Sequence, residues 1–401
     1  MSRRKKVTII VVIIALVIGG LLLFLEFGEK TTDPEEPPAQ DEPIFPFATT
    51  TEFFADEDGD GISTTTLADE DKDLPALWKV SDDPVAGSRW INQSVSNQDT
   101  IRFVKQENGH LYAANPNTRN LTQLTDVTVP QVKEALIAPS GRTIVLRYLD
   151  DTNTIQTYNA QLQETEGTSS VPYTLEGSFL APDIYEISMS PDGSQLFYLQ
   201  ETNDRSVGVL HNLETDERSQ IFTSEVSRWR AQFTQSGSVT IFTPPADDVT
   251  GYAYRIGTET GRQEKITDAT GLTVKENPSG SAYLRTSQTD KRFAITPINT
   301  SEEFSANTFS EKCFWESDNI VFCGVPEDQT PRSVTSWYQG RTNFVDDLHL
   351  FNTETGSRDQ LLSDDQINRS SADMIELDIN QSFTELIFTD RTSGDLWGFE
   401  L

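Results

Sequence analysis

The stretch IYEISMSPDGSQLFYLQ (Ile184–Gln200) spells out a β-hairpin. A short apolar run enters a Ser-Pro-Asp-Gly turn, and a second apolar run leaves it. Pro191 presets an early turn position, Asp192 can cap the turn, and Gly193 supplies the positive φ that a side chain resists. Related units are ALIAPSGRTIVLRY (Ala135–Tyr148), AQFTQSGSVTIF (Ala231–Phe242), VKENPSGSAYLR (Val274–Arg285), CFWESDNIVFC (Cys313–Cys323) and IELDINQSFTELIF (Ile375–Phe388). A degenerate copy is read at SVSNQDTIRFV (Ser94–Val104). The turn glycines fall at 141, 193, 237 and 280, about 40–50 residues apart, which is the period of propeller blades. One such hairpin cannot bury its sheet alone, whereas several stacked radially can. The repeat therefore predicts an all-β propeller.

Each hairpin is followed by a third strand: His110–Asn115, Ile155–Ala160, Val207–Asn212, Tyr252–Gly257, Phe293–Ile298, Leu348–Thr353 and Leu396–Leu401. Polar turns such as LETDER and NTETG then lead into a fourth, polar strand. Counting third strands gives seven blades; six is the alternative if the first hairpin is not real. The folded domain is expected over 77–401. It begins with a lone strand, Leu77–Val80, and ends with DLWGFEL (Asp395–Leu401), a strand with no successor. A closed wheel cannot leave two sheet edges bare, so these two ends are expected to pair in one composite blade.

Ahead of the wheel, residues 1–6 carry Arg3, Arg4, Lys5 and Lys6, and Val7–Leu25 follows as nineteen residues without a charge. At 1.5 Å per residue that run spans about 28 Å, close to the hydrocarbon thickness of a bilayer. Its exit, Leu25-Glu26-Phe27, lacks the small residues of a cleavage site, so an uncleaved signal anchor is expected. The basic cluster would stay in the cytoplasm, with the large domain outside the membrane. Residues 26–76 form an acidic linker rich in Pro and Thr. Inside it, Asp56, Asp58, Asp60 and Gly61 match the first half of a calcium loop, but Leu67 stands where a bidentate glutamate belongs. A Ca²⁺ site and a solvated acidic linker both remain open there; no other cofactor is expected.

The formal net charge of −32 argues against nucleic acid as a partner, because phosphates would be repelled. Cys313 and Cys323 flank one turn symmetrically, and outside the cytoplasm such a pair can oxidise to a disulfide; two buried thiols are the alternative. The three histidines, His110, His211 and His349, fall on third strands of separate blades, too dispersed for one metal. No Gly-x-Ser-x-Gly elbow occurs, and the chain is expected not to be an enzyme. Aligning the hairpins places Glu134, Glu186, Arg230, Thr273, Lys312 and Glu376 at equivalent positions of the innermost strands. They would ring one axial opening as a ligand site, or serve only as ion pairs and solvated side chains. The insertion 324–347 carries Trp337, Tyr338 and Phe344, which would either bind a partner or fold back and pack.

The succession of strand, TETG-like turn, strand and SPDG turn over about 77–401 resembles TolB-type and WD-like β-propeller repeats. With LWKVSDDPVAG, VPQVKEALI, the hairpin ending CGVP, SWYQG and the apolar N-terminal run, the chain also looks like membrane-anchored propeller proteins of the Patescibacteria. The likeness implies an extracytoplasmic propeller and no particular activity. The expected role is binding or scaffolding of an envelope protein, peptide or glycan. The alternatives are a hydrolase or lyase acting on envelope glycans or peptides, and an accessory of a pilus or secretion machine.

Overall fold

A computed structural model of the protein describes residues 76–92, 99–165, 170–289, 292–327, 333–362 and 372–401. The chain divides into Met1–Asp71 and Lys72–Leu401, and all described residues belong to the second unit. The basic stub, the apolar run Val7–Leu25 and the aspartates Asp56, Asp58 and Asp60 lie outside the described residues. Among those described, no helix is long and apolar enough to cross a membrane.

Seven antiparallel sheets succeed one another along the chain. Given from the inner strand outward, blade 1 is β2 (Val85–Ile91), β3 (Thr100–Lys105), β4 (Leu111–Ala114) and β5 (Leu121–Gln123). Blade 2 is β6 (Glu134–Ile137), β7 (Thr143–Leu149), β8 (Ile155–Glu164) and β9 (Tyr173–Phe179). Blade 3 is β10 (Ile184–Met189), β11 (Gln195–Thr202), β12 (Arg205–Asn212) and β13 (Arg218–Ser224). Blade 4 is β14 (Arg230–Phe233), β15 (Ser238–Phe242), β16 (Thr250–Gly257) and β17 (Gln263–Thr270). Blade 5 has three strands, β18 (Thr273–Glu276), β19 (Tyr283–Thr289) and β20 (Arg292–Ile298). Blade 6 is β21 (Cys313–Trp315), β22 (Ile320–Pro326), β23 (Asp346–Asn352) and β24 (Arg358–Leu362). Blade 7 is β25 (Met374–Ile379), β26 (Glu385–Asp390), β27 (Leu396–Glu400) and, as its outer strand, β1 (Leu77–Ser81).

The ends therefore close the ring as the unpaired-edge argument requires. Leu77 faces Phe399, Trp78 faces Gly398, and Lys79 faces Trp397. A Cβ on Gly398 would lie 2.6 Å from the Trp78 indole nitrogen, so the missing side chain is what lets the two strands meet.

The hairpin Ile184–Gln200 forms β10 and β11, with Gly193 at φ +77°. Asp192 holds its turn, accepting from Ser190 Oγ (2.6 Å) and from the Ser194 amide (3.0 Å). The hairpin of blade 7 has no glycine, and Phe383 takes the left-handed position instead, at φ +55°. Blade 1 departs from expectation. Its inner strand is Val85–Ile91 and not a segment near Ser94, because the connection to β3 is long and carries no Ser-Pro-Asp-Gly turn.

Adjacent blades meet through buried apolar clusters. Ile91, Leu111, Ile137 and Leu146 join blades 1 and 2; Phe197, Leu199, Trp229 and Ile241 join blades 3 and 4. Trp78, Val80, Trp90, Phe103 and Ile387 join blade 7 back to blade 1. Each fully buried side chain of this kind contributes about 1.5–3 kcal/mol, which no blade could collect alone. Polar ties cross the same seams. Arg102 Nη1 donates to Gly141 O (2.6 Å), Arg147 Nη2 to Ile184 O (2.6 Å), and the Trp90 amide to Asp378 Oδ2 (2.9 Å).

Candidate functional site: the axial mouth

Ionisable side chains from the inner strands of six blades, and from the turn before the inner strand of the other, gather about the axis. From blades 1 to 4 these are Arg89, Glu134, Glu186 and Arg230. Blade 5 gives Lys275, the 3₁₀ turn before β21 (Ser310–Lys312) gives Glu311, and blade 7 gives Glu376 and Asp378. A cleft of about 220 Å³ at one end of the channel is lined by Glu134, Glu186, Arg230, Lys275 and Glu311, with Ser188 and Gln232 beside them.

The geometry differs around the ring. Glu134 is ion-paired with Arg147, which is itself held from below by Ile184. Glu186 accepts from the Ala231 amide (3.2 Å) and lies 3.4 Å from Arg230 Nε. Burial pushes Glu186 up to about 7 against the pull of Arg230, with Glu134 adding to the rise. Lys275 donates to Cys313 O (2.6 Å), and burial brings it down to about 8 against the pull of Glu311 and Asp378. Glu376 sits in a β-bulge at φ +53°, a conformation that costs a non-glycine residue about 1–3 kcal/mol and turns its side chain out of the strand's alternation. The residue keeps solvent contact, and packing around its carboxyl, with Glu134 nearby, pushes it up to about 7. Its hydrogen-bond partner is Thr389 Oγ1, at 3.4 Å.

Of the six residues expected at the opening, Glu376 lies close enough to Glu134 to feel its charge, and Glu134, Glu186 and Arg230 line the cleft. Thr273 and Lys312 do neither. Thr273 is fully buried, bonded to Thr286 Oγ1 (2.7 Å) and covered by Ser310, whose Oγ donates to it (2.6 Å). The 3₁₀ turn rotates Lys312 away from the axis into the seam between blades 6 and 7. There it is fully buried, 2.5 Å from Asp346 Oδ2 and 2.5 Å from Asp373 Oδ1. Lys275 and Glu311 take the two places. An inner-strand alignment that assumes an extended chain in every blade has no signal for that turn.

The described part of the insertion packs; it does not project. Helix α1 (Val334–Tyr338) lies within it, and Trp337 and Phe344 are buried against Phe309 and Val334. Trp337 Nε1 donates to Asp373 Oδ2 (2.8 Å), and the Phe344 amide donates to the same oxygen (3.2 Å). Tyr338 reaches the mouth, its hydroxyl donating to Glu311. Burial, with Glu311 beside it, raises that phenol well above its ordinary value. Asp247, on the β15–β16 connection, accepts from Ser333 Oγ and from the Thr335 amide (3.3 Å), so blades 4, 6 and 7 all hold the insertion down.

Cys313 and Cys323 stand directly opposite on β21 and β22, Cα atoms 4.0 Å apart, and are joined as a disulfide. The histidines lie apart. His110 contacts Thr128, His211 contacts Asp216, and His349 lies against Arg358. Among the described residues no group of three His, Cys, Asp or Glu side chains is arranged to hold a metal ion. A larger cleft, about 350 Å³, lies away from the axis beside blade 6 and includes His349, Arg358, Gln360 and Asn307. It opens where blade 5 has no fourth strand among the described residues, and composition gives no sign of it in the sequence.

No protein-family model and no curated protein matches the sequence. Solved structures do resemble the fold. An oligogalacturonate lyase in complex with manganese is 12% identical over 81% of this chain and 93% of its own, with a TM-score of 0.53. The oligogalacturonate lyase of Vibrio parahaemolyticus is likewise 12% identical over 81% and 93%, at 0.51. The β-propeller domain of the Trilobed protease from Pyrococcus furiosus is 10% identical over 79% and 95%, at 0.50. At such identities the likeness is one of architecture, and the architecture is the seven-bladed β-propeller.

Proposed function

We propose that the chain is a membrane-anchored, extracytoplasmic propeller that binds an envelope protein, peptide or glycan at its axial mouth. The observation that carries this reading is the convergence of ionisable side chains from the inner strands on one channel that opens into a cleft. Buried charge is normally paired, and Lys275, which lines the cleft, has no ion-pair partner among the described residues. The apolar run Val7–Leu25 after a basic stub supports the anchor, and the Cys313–Cys323 bond supports an oxidising compartment. The net charge of −32 supports partners other than nucleic acid. The test is binding of the full-length chain, in mild detergent, to a panel of short peptides and envelope glycans. Saturable binding that is lost when Glu186→Gln and Arg230→Gln are combined is the expected result. Binding indifferent to that double variant would remove the mouth from the account.

A second reading has its own support. Two carboxyls near 7 and an amine near 8 are values suited to general acid–base work at neutral pH. A hydrolase or lyase acting at the same mouth therefore stands beside the binding role, and it is in keeping with two lyases being among the structures of similar architecture. Turnover of a panel member by the wild-type chain, absent from Glu186→Gln, would select it.

A further inference from the structure

Beyond β20, blade 5 has no further strand among the described residues, and one face of blade 6 stands open there. Register fixes which side chains share that face. Val325 stands opposite Asp347, His349 opposite Gln360, and Phe351 opposite Arg358. Towards Phe351 the face is covered, by Ile295 and Ala306 in one apolar cluster and by the Phe304 ring, stacked with ring centres 4.2 Å apart. Towards Asp347 and Gln360 it forms one wall of the cleft of about 350 Å³. The segment carrying Ser305 and Asn307 forms the other. That segment is pinned where the Ile295 amide donates to Ala306 O (2.9 Å) and the Ala306 amide donates back to Ile295 O (3.3 Å). Val325, Pro326 and Ala306, all buried, supply the apolar part of the lining.

Several kinds of ligand fit this lining poorly. A peptide strand would need a free edge on β20. Ile295 already spends both its outward groups on Ala306, and Pro297, two residues along on the same edge, has no N–H. An anion drawn to Arg358 would meet Asp347 and Glu327 in the same cleft, and a cation drawn to those acids would meet Arg358. Arg358 is also engaged: Nε donates to His349 Nδ1 (3.2 Å), Nη2 lies 3.2 Å from His349 Nε2, and the guanidinium stands 5.4 Å from the Phe351 ring centre. Burial and that guanidinium bring His349 down to about 4, so the ring is neutral at pH 7. What remains are the side chains of Ser305, Asn307 and Gln360, which make no hydrogen bond among the described residues. A hydroxyl and two amides each donate and accept, as the hydroxyls of a sugar do, and they stand beside a small apolar patch.

The geometry points to a second binding site, at the seam of blades 5 and 6, that takes an uncharged saccharide through Ser305, Asn307 and Gln360. No residue lines both this cleft and the mouth, so the site stands or falls apart from the role given to the mouth. Its volume lies within the roughly 300–1,000 Å³ of small-molecule pockets.

The test is saturation-transfer NMR on the full-length chain, in a detergent without a sugar head group, with cellobiose, N,N′-diacetylchitobiose, digalacturonate and Gly-Gly-Gly as probes. At least one of the two neutral disaccharides is expected to give a saturable signal that neither digalacturonate nor Gly-Gly-Gly displaces. Asn307→Ala combined with Gln360→Ala removes two hydrogen-bonding groups and should weaken that binding about tenfold. Ser305→Trp fills the cleft from an exposed position and should abolish it, with the midpoint of thermal unfolding unchanged. Glu186→Gln combined with Arg230→Gln should leave it as it is. No signal from either neutral disaccharide, or displacement by digalacturonate or Gly-Gly-Gly, overturns the saccharide class. A signal indifferent to the Asn307 and Gln360 pair overturns the site; if the mouth pair abolishes it instead, the saccharide binds at the mouth and the reading of the mouth survives.

Discussion

Glu311 and Lys312 are consecutive residues, and they open onto two groups of charge that the fold treats in opposite ways. Glu311 faces the axial mouth, where water enters and opposite charges are only partly matched. Lys312 faces the seam between blades 6 and 7, where it is fully buried between Asp346 and Asp373 under Trp337 and Phe344. The dry group is nearly complete. Lys312 meets both carboxylates, Asp373 also accepts from Trp337 and the Phe344 amide, and Arg391 Nη1 stands 3.8 Å from it. Lys312 Nζ lies 4.8 Å from the Phe344 ring centre as well. The wet group is left incomplete, with Glu376 and Lys275 lacking ion partners among the described residues. Charge that is buried and paired holds the insertion to the wheel; charge that is wetted and mismatched is available to something from outside. The difference separates a structural role from a binding role better than residue type does.

The comparison can be broken first at the dry group. Lys312→Met leaves Asp346 and Asp373 facing each other without their cation and should cost about 3–5 kcal/mol in urea unfolding. A loss below about 1 kcal/mol would mean that the hub does not hold the seam. Trp337→Ala empties the cover over the same hub and should cost about 3 kcal/mol, at the low end for a buried aromatic because the insertion can partly collapse. If stability is unchanged, the ring projects as a contact residue. Replacing Cys313 and Cys323 together by Ala opens a cross-link over a sequence separation of 10 and should cost about 2–3 kcal/mol. At the mouth, carboxylate substitution should act with the other sign. Glu376 titrates near 7 in the fold against an ordinary value of 4.5, so the folded chain holds the extra proton between those values. Its contribution to stability therefore falls as pH rises through that window. Glu376→Gln should flatten this part of the stability–pH profile and be neutral or stabilising at pH 8; destabilisation there would show that the carboxylate is paired after all.

Much of the wheel was legible because each hairpin states its own turn. Gly141, Gly193, Gly237 and Gly280 all hold positive φ, and the pairing of β1 with β27 followed from the need to hide two edges. Where the turn chemistry lapses, so does the reading. The first strand of blade 1 lies upstream of where a turn signal would put it, and Phe383 does a glycine's work with nothing nearby to announce it. The mouth was legible wherever the inner strand starts in extended conformation, as at Glu134, Glu186 and Arg230. It was lost at blades 5 and 6, where a three-residue turn covers Thr273 and swings Lys312 out of phase. Burial of the insertion could not be read from its aromatics. What fixes it is Asp373, thirty-six residues downstream of Trp337 and on another blade.

The central claim is that the charges at the mouth are only partly matched and partly enclosed, while those around Lys312 are paired and dry. An NMR titration of the full-length chain carrying side-chain ¹³C-labelled glutamate, with Glu186→Gln and Glu376→Gln for assignment, addresses it most directly. Two midpoints near 7 that vanish one at a time in the two variants are predicted. If all glutamates titrate in the ordinary range near 4.5, the mouth does not enclose its carboxyls, and the account of it as a walled site is contradicted.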